Sequence, residues 1–223
     1  MKLTTFDEFR AQFRDFYHSV KTGHENTKKQ SHGGHGIDHD ITVAMIAVKI
    51  SDDERIGQKA WCAAMLHSVD RVVGASDIKD TMMKHAEYLK HFFSQNEIDE
   101  IIEAAFRHSE RNQIDQSETQ ITLMDADRLA NMQSAVIIRS GQFRPDIPVF
   151  DFKYLSGAID PLSTYEDPKS VIDDLRLCII NYIPQLRNKE AKHLGNIYAE
   201  KLNAYIRSIE DENEYFGLTN IEI

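Results

Sequence analysis

Hydrophobic residues recur every three or four positions along most of the chain, which is the spacing of one face of an α-helix. No segment alternates apolar and polar residues cleanly over the length of a β-strand. The pattern therefore predicts an all-α fold. Two of the clearest apolar stripes are Val43, Ile46, Ala47 and Ile50, and then Ile98, Ile101, Ile102 and Ala105.

The starts of several helices are marked by serine or threonine three positions before glutamate or glutamine, which is the spacing of a capping box. Two more helices are predicted near the C-terminus, from Pro168 to about Ile183 and from about Asn188 to about Glu212. We predict one domain over residues 1–223, with its motifs within about 30–140 and the helices of about 167–212 packing on it. The four capping pairs are Thr5 with Glu8, Ser51 with Glu54, Ser94 with Glu97, and Ser117 with Gln120.

Composition and charge narrow the classes of protein. A length of 223 residues is enough for a substantial core without disulfides, and the two cysteines, Cys62 and Cys178, lie in apolar helical patterns as predicted buried thiols. A formal net charge of -10 argues against a general nucleic-acid binder, since such proteins gather positive charge. No apolar run is long enough to cross a bilayer, and the first residues do not resemble a secretory signal, so we predict a cytoplasmic protein without membrane partners.

Candidate chemistry comes from polar side chains on the apolar faces of separate helices. His39 starts the helix of the first stripe, His67 follows the apolar run that ends at Leu66, and His108 shares a face with Ile101. Asp125 lies four residues after Ile121 and four before Leu129, so it too is expected on a buried face. Each has an ordinary explanation alone, as a hydrogen-bonded core histidine or as an aspartate paired with a nearby arginine. Together they predict ligands that converge from four helices, because buried polar groups need partners.

Four segments resemble, in order and spacing, the successive motifs of the HD-domain superfamily of metal-dependent phosphohydrolases. The resemblance spans about residues 30–212 and implies an all-helical fold with a divalent metal ion, which could be Mn, Mg, Fe, Ni or Zn. Carried over by position, the implied metal ligands are His39, His67 and Asp125. The segments are HGIDHDITVAMIA at 35–47, AAMLHSVDR at 63–71, AAFRHSER at 104–111 and LMDADRLANMQSAVIIRSG at 123–141.

The chain departs from the superfamily at position 68, where the aspartate of the histidine-aspartate doublet is replaced by Ser68. A neutral hydroxyl is a poorer ligand than a carboxylate for a hard cation, so metal affinity should fall. Three arrangements stay open: a metal held by the three ligands above with water, a metal shifted toward His85 and His108, or a pocket that binds a ligand without metal.

The resemblance implies hydrolysis of a nucleotide or other small phosphate ester by a metal-activated water. Asp70 or Asp127 is expected to act as a base or orient other groups, and His108 is a further catalytic candidate. The open alternatives are a degenerate member that binds a nucleotide without catalysis, and a lyase or oxygenase-like use of the fold. The long C-terminal helix is consistent with a homodimer or with packing on the chain itself. Residues expected to contact the substrate phosphate are His85, His108, Arg71, Arg111 and Arg139.

Overall fold

A computed structural model describes residues 3–26 and 36–221, and these residues form helices and loops without a β-strand. The predicted all-α fold is confirmed. Among the helices described, none combines the length and the apolar character needed to cross a membrane. The chain divides into two compact units, one made of Met1–Ala130 with Arg187–Ala191 and the other of Asn131–Leu186 with Lys192–Ile223. The single domain stays a prediction.

The helices follow one another closely along both units. The last helix begins within Arg187–Ala191 of the first unit and continues through residues of the second. The described helices are α1 (Phe6–Gln12), α2 (Arg14–Asn26), α3 (Ile37–Ile50), α4 (Glu54–Leu66), α5 (Val69–Val72), α6 (Ile78–Ala86), α7 (Gln95–Phe106), α8 (Glu118–Ala130), α9 (Val136–Phe143), α10 (Val171–Tyr182) and α11 (Lys189–Tyr215).

The core of the first unit is built around α4, which packs against α3, α7 and α8. Every residue of α4 from Ala60 to Leu66 is buried, and Trp61 has no exposed surface. The rings of Phe9 and Phe13 stack on Trp61 with centroids 5.4 and 5.7 Å away. The second half of α4 is apolar on all sides, and the two residues that follow it, His67 and Ser68, also lie in the core.

Each predicted capping pair can be compared with the start of a helix in the structure. The boxes at Thr5 and Ser94 are present with both hydrogen bonds. The one predicted at Ser51 is wrong, because Ser51 ends α3 and the side chain of Asp53 caps α4 by accepting from Ile56 N at 2.8 Å. Asp53 caps α4 equally well, since a short carboxylate accepts from the same backbone N–H groups.

The remaining predicted helix ends are met only in part. At Ser117 the side chain accepts from Gln120 N at 3.2 Å, but the Gln120 side chain donates to Arg107 O, so the reciprocal bond is missing. Helix α10 begins at Val171 with Ser170 as its cap, three residues later than predicted from Pro168. Helix α11 begins one residue after the predicted start at Asn188.

The second unit has its own hydrophobic core, formed by α10, α11 and the start of α9. The Arg176 guanidinium is buried there and donates to the backbone oxygens of residues 154, 155 and 158 and to the Glu210 carboxylate, so its charge is compensated. The buried core residues are Met132, Val136, Ile172, Leu175, Leu202 and Ile206.

Candidate metal centre

Three side chains from separate helices of the first unit converge on one point. His39 lies in the first turn of α3, His67 directly follows α4, and Asp127 lies in α8. Each offers a ligand atom, and these atoms all lie within 4.8 Å of one another. His39 Nε2 is 3.2 Å from Asp127 Oδ1, and His67 Nε2 is 3.9 Å from the same oxygen. We call these three residues the metal triad.

The backbone at the end of α4 orients His67. His67 is the C-cap residue of that helix, and its Nδ1 lies 2.5 Å from the backbone oxygen of Ala64. Because a carbonyl oxygen only accepts, Nδ1 carries the hydrogen and Nε2 presents its lone pair. Burial lowers the pKa of His67, against the opposing charges of Asp40 and Asp127. The neutral imidazole that results is the form that binds metal ions.

Asp127 provides the negative charge of the triad. Burial by itself would raise the pKa of its carboxyl, but the hydrogen bond from His39, with the neighbouring imidazoles as smaller causes, holds that pKa well below its usual range. Asp127 is therefore ionised. Its side chain keeps 22% of its surface exposed while that of His39 is 1% exposed, so the triad is accessible on the side of the carboxylate.

The donor set of the triad fits a divalent cation. Two imidazole nitrogens and one carboxylate oxygen are ordinary ligands for Zn²⁺, Mn²⁺ and related ions, and three protein ligands leave positions for water and substrate. Two ligands of one ion lie roughly 3.0 to 3.4 Å apart when each is about 2.1 Å from it. The distances of 3.2 and 3.9 Å to Asp127 Oδ1 are close to that range.

His108 lies beside the triad, as the sequence predicts. Its ring meets the ring of His67 edge to face, with the centroids 5.1 Å apart. Its Nδ1 donates to Ala105 O at 2.7 Å, so its Nε2 also carries a lone pair. His108 therefore repeats the arrangement of His67 at the end of a neighbouring helix.

Asp125 does not join the triad, contrary to the predicted ligand set. Residues two positions apart in an α-helix point about 200° away from each other, so Asp125 and Asp127 lie on opposite sides of α8. The Asp125 carboxylate is fully buried, and its Oδ2 accepts the backbone N–H groups of Arg187 at 2.9 Å and Asn188 at 2.7 Å. Its Oδ1 lies 3.4 Å from the Arg128 guanidinium. Asp125 therefore holds the segment 187–191 in place.

The other predicted site residues lie elsewhere. Asp70 is half-buried and Arg71 is exposed, and their side chains pair at 3.4 Å. Arg111 is exposed, and Arg139 belongs to the second unit, where it donates to Asn131 Oδ1 at 2.7 Å. None of them is in the triad. Their roles in catalysis and phosphate binding stay predictions.

His85 lines a cleft of about 280 Å³ in the first unit. Its Nδ1 lies 2.8 Å from Ser19 Oγ, and burial lowers its pKa, with His24 as a smaller cause. His85 is likewise outside the triad. His24 also lines this cleft. The other lining residues are mostly apolar, among them Val20, Val69, Val72 and Val73.

Two further residues near the triad were missed in the sequence. Asp40 is fully buried, and His24 from α2 places its Nε2 3.0 Å from Asp40 Oδ2. The sequence did carry a signal for Asp40, because it precedes Val43 by three positions and Ala47 by seven, which is the spacing of the buried face of α3. In the sequence His24 falls in a segment rich in Gly, His, Lys and Ser, which is typical of a polar loop, but it lies in the last turn of α2 with 9% of its side chain exposed. The neighbouring His32 and His35 lie outside the described residues.

Comparisons with known proteins identify a family for part of the chain and structures with the same fold. Residues 36–132 match the HD domain family. A protein of known structure from Lactobacillus plantarum is 17% identical, with 94% of this chain and 98% of that chain aligned and a TM-score of 0.65. An HD-superfamily hydrolase from Bacillus thuringiensis is 16% identical over 93% of this chain and 98% of its own, with a TM-score of 0.64. YpgQ from Bacillus subtilis, solved in complex with ADP, is 18% identical over 92% and 96%, with a TM-score of 0.63.

A search of curated proteins by sequence gives no match. The likeness to the solved structures shows a shared fold, which is that of an HD-domain hydrolase. The match over residues 36–132 contains all three triad residues and position 68. Residues 36–132 therefore correspond to an HD domain, with Ser68 in the place of the doublet aspartate.

Proposed function

We propose that this protein is a phosphohydrolase that uses a divalent metal ion to hydrolyse a nucleotide or another small phosphate ester. The observation that carries the proposal is the convergence of His39, His67 and Asp127, whose ligand atoms lie within 4.8 Å of one another. HD domains typically bind divalent metals, and the triad has ligands suited to one. We keep the predicted location in the cytoplasm and the predicted homodimer as parts of this proposal.

The residues of the triad would hold the ion and keep part of its surface open. A bound divalent ion supplies Lewis acidity and lowers the pKa of a coordinated water. His67 and His39 bind as neutral imidazoles, and Asp127 is ionised at neutral pH because its pKa is well below the usual range. Substrate would approach on the side where the Asp127 carboxylate is exposed.

A nucleotide is the substrate class that we favour. YpgQ, which has the same fold at 18% identity, was solved in complex with ADP. In this chain the cleft lined by valines offers apolar surface to a base or sugar, while His24 and His85 offer polar groups within the same cleft. Pockets of this kind, apolar with a few polar groups, are typical of small-molecule sites.

His108 is assigned to the substrate phosphate. Because its Nδ1 is bound to Ala105 O, its Nε2 can take a proton and donate to a phosphate oxygen. We expect His108→Ala to raise KM for the phosphate ester about tenfold, which is the loss of one charge-assisted hydrogen bond, and to leave the metal content unchanged. Steady-state kinetics together with metal analysis checks this. A loss of metal in His108→Ala would instead make His108 a ligand.

The proposed function is tested by metal analysis of protein purified without chelator, followed by phosphate-release assays over a panel of nucleotides and sugar phosphates. We expect a bound divalent ion, and release that stops on treatment with chelator and returns when metal is added. If the protein carries metal and releases no phosphate from any member of the panel, the proposed hydrolase activity is contradicted.

The second candidate is a protein that binds a nucleotide without turning it over. The observation in its favour is Ser68, which replaces a carboxylate with a neutral hydroxyl next to His67. Nucleotide binding by calorimetry, without metal and without phosphate release, would support this function over the first.

A further inference from the structure

The Ser68 side chain is held by a carboxylate from another helix. Ser68 Oγ donates to Asp40 Oδ1 at 2.6 Å, and both residues are buried. Asp40 lies in α3, directly after His39, so the hydrogen bond joins the residue after one triad member to the residue after another. A carboxylate is therefore present beside position 68, although the sequence places none at that position.

The hydrogen atoms around Ser68 leave two lone pairs facing each other. The serine hydroxyl has one hydrogen, and the hydrogen bond to the Asp40 carboxylate uses it. The Nδ1 hydrogen of His67 points to Ala64 O, so His67 Nε2 faces Ser68 Oγ with its lone pair at 3.4 Å. Two acceptors at this distance repel each other unless a cation lies near both. A metal ion at the triad would be that cation.

The charge of Asp40 also calls for a cation. Its side chain has no exposed surface, and a buried carboxylate is costly without a compensating positive charge. The ion-pair partners that the described part of the chain gives it are the histidines His24, at 3.0 Å, and His67, at 3.5 Å. Histidine binds a metal ion as a neutral imidazole, so with an ion at the triad the positive charge near Asp40 is supplied by the ion.

We propose that Asp40 and Ser68 together replace the aspartate of the HD doublet: Ser68 places an oxygen next to His67 Nε2, and Asp40 supplies the negative charge through the hydrogen bond. The pair supplies an oxygen ligand and a negative charge from two separate residues, whereas one aspartate at position 68 would supply both. This inference rests on the proposed metal centre. It makes Asp40 a positioning residue that acts on the metal through Ser68, and it explains why a buried aspartate is present on an otherwise apolar face of α3.

The test measures metal affinity, without any assay of activity, in four proteins: the wild type, Asp40→Asn, Ser68→Asp and the double variant. Each is stripped with chelator and titrated with Mn²⁺ and with Zn²⁺ in a calorimeter. We expect Asp40→Asn to weaken binding about 10- to 100-fold, the range for residues that support a metal ligand. The double variant should recover most of that loss, because the carboxylate returns at position 68.

The single variant Ser68→Asp should gain less affinity than the same substitution gains in the Asp40→Asn background. In the single variant two carboxylates are in contact and repel each other, which offsets part of the gain from the added ligand. This difference is the coupling between the two positions, and it is absent if they act independently. Asp38→Asn is the matched control, since Asp38 is an exposed aspartate of the same helix. The metal affinity of Asp38→Asn should equal that of the wild type.

Circular dichroism of the stripped proteins checks that each variant folds. If Asp40→Asn does not fold, Ser68→Ala takes its place, because it removes the oxygen next to His67 and keeps the charge, and it should also weaken binding. Wild-type binding that persists unchanged in Asp40→Asn or in Ser68→Ala, or a double variant that recovers nothing, overturns the role of Asp40 and leaves the metal centre standing. A wild type that binds neither ion overturns the metal centre itself and the proposed hydrolase with it.

Discussion

Replacing Asp127 by asparagine is expected to abolish metal-dependent phosphate release. The substitution removes the ionised carboxylate of the triad and puts a neutral amide 3.2 Å from His39 Nε2 and 3.9 Å from His67 Nε2. An amide oxygen is a weaker ligand and cannot balance the charge of a divalent ion. We expect the rate of release to fall about 1,000-fold or more, as for the loss of other essential catalytic groups. Bound metal should fall with it.

The matched control for this prediction is Asp52→Asn, which changes an exposed aspartate in the loop before α4. Its metal content and rate should match the wild type. Full metal content and full activity in Asp127→Asn would show that the triad is not the site. If folded Asp125→Asn lost its metal while Asp127→Asn kept it, the ligand set predicted from the sequence would be right and the triad wrong.

Replacing Asp125 by alanine is expected to destabilise the protein by about 3 kcal/mol, because it breaks a buried pair and leaves its partners without compensation. Two backbone N–H groups, those of Arg187 and Asn188, lose their acceptor, and the Arg128 guanidinium loses the carboxylate 3.4 Å away. Burial raises the pKa of Asp125, so part of the cost of holding the charge is recovered when it is removed. Urea unfolding of chelated protein measures the loss.

The comparison that isolates the structural role of Asp125 is urea unfolding of Asp127→Asn under the same conditions. In chelated protein we expect its free energy of unfolding to fall less than that of Asp125→Ala. The folded protein lowers the pKa of Asp127, so losing the ionised carboxylate costs some stability, but the asparagine oxygen can still accept the hydrogen bond from His39. The opposite order, with Asp125→Ala as stable as the wild type and Asp127→Asn strongly destabilised, would reverse the roles assigned to the two aspartates of α8.

Asp125 and Asp127 of α8 show which property the sequence predicts and which it does not. Periodicity correctly predicted that Asp125 is buried, because Ile121, Asp125 and Leu129 share a face of α8. Burial alone does not distinguish a metal ligand from a carboxylate that serves the backbone. The residue two positions on is the one that meets His39 and His67, and its side chain keeps some exposure. A functional carboxylate must reach its substrate, whereas a carboxylate that is completely buried usually serves the backbone or another side chain.

Position 68 gives a second example in which the sequence does not show which residues are neighbours. In the sequence alone, Ser68 indicates a metal centre that lacks the negative charge of the doublet aspartate. The structure brings Asp40 to within 2.6 Å of Ser68 Oγ, although the two are 28 residues apart in the chain. No local spacing relates residues on α3 to residues after α4, since their distance depends on how the two helices pack.

The sequence by itself determined the all-α fold, most helix positions and the burial of His39 and His67, with His108 partly buried near them. These properties follow from periodicity and capping, which act over a few residues and are written in the local order of the chain. Only the tertiary structure decided that Asp127 joins the two histidines, that Asp125 holds residues 187 and 188, and that Asp40 lies against Ser68. Those outcomes depend on the angles and distances at which α3, α4 and α8 pack, and packing is a property of the whole core.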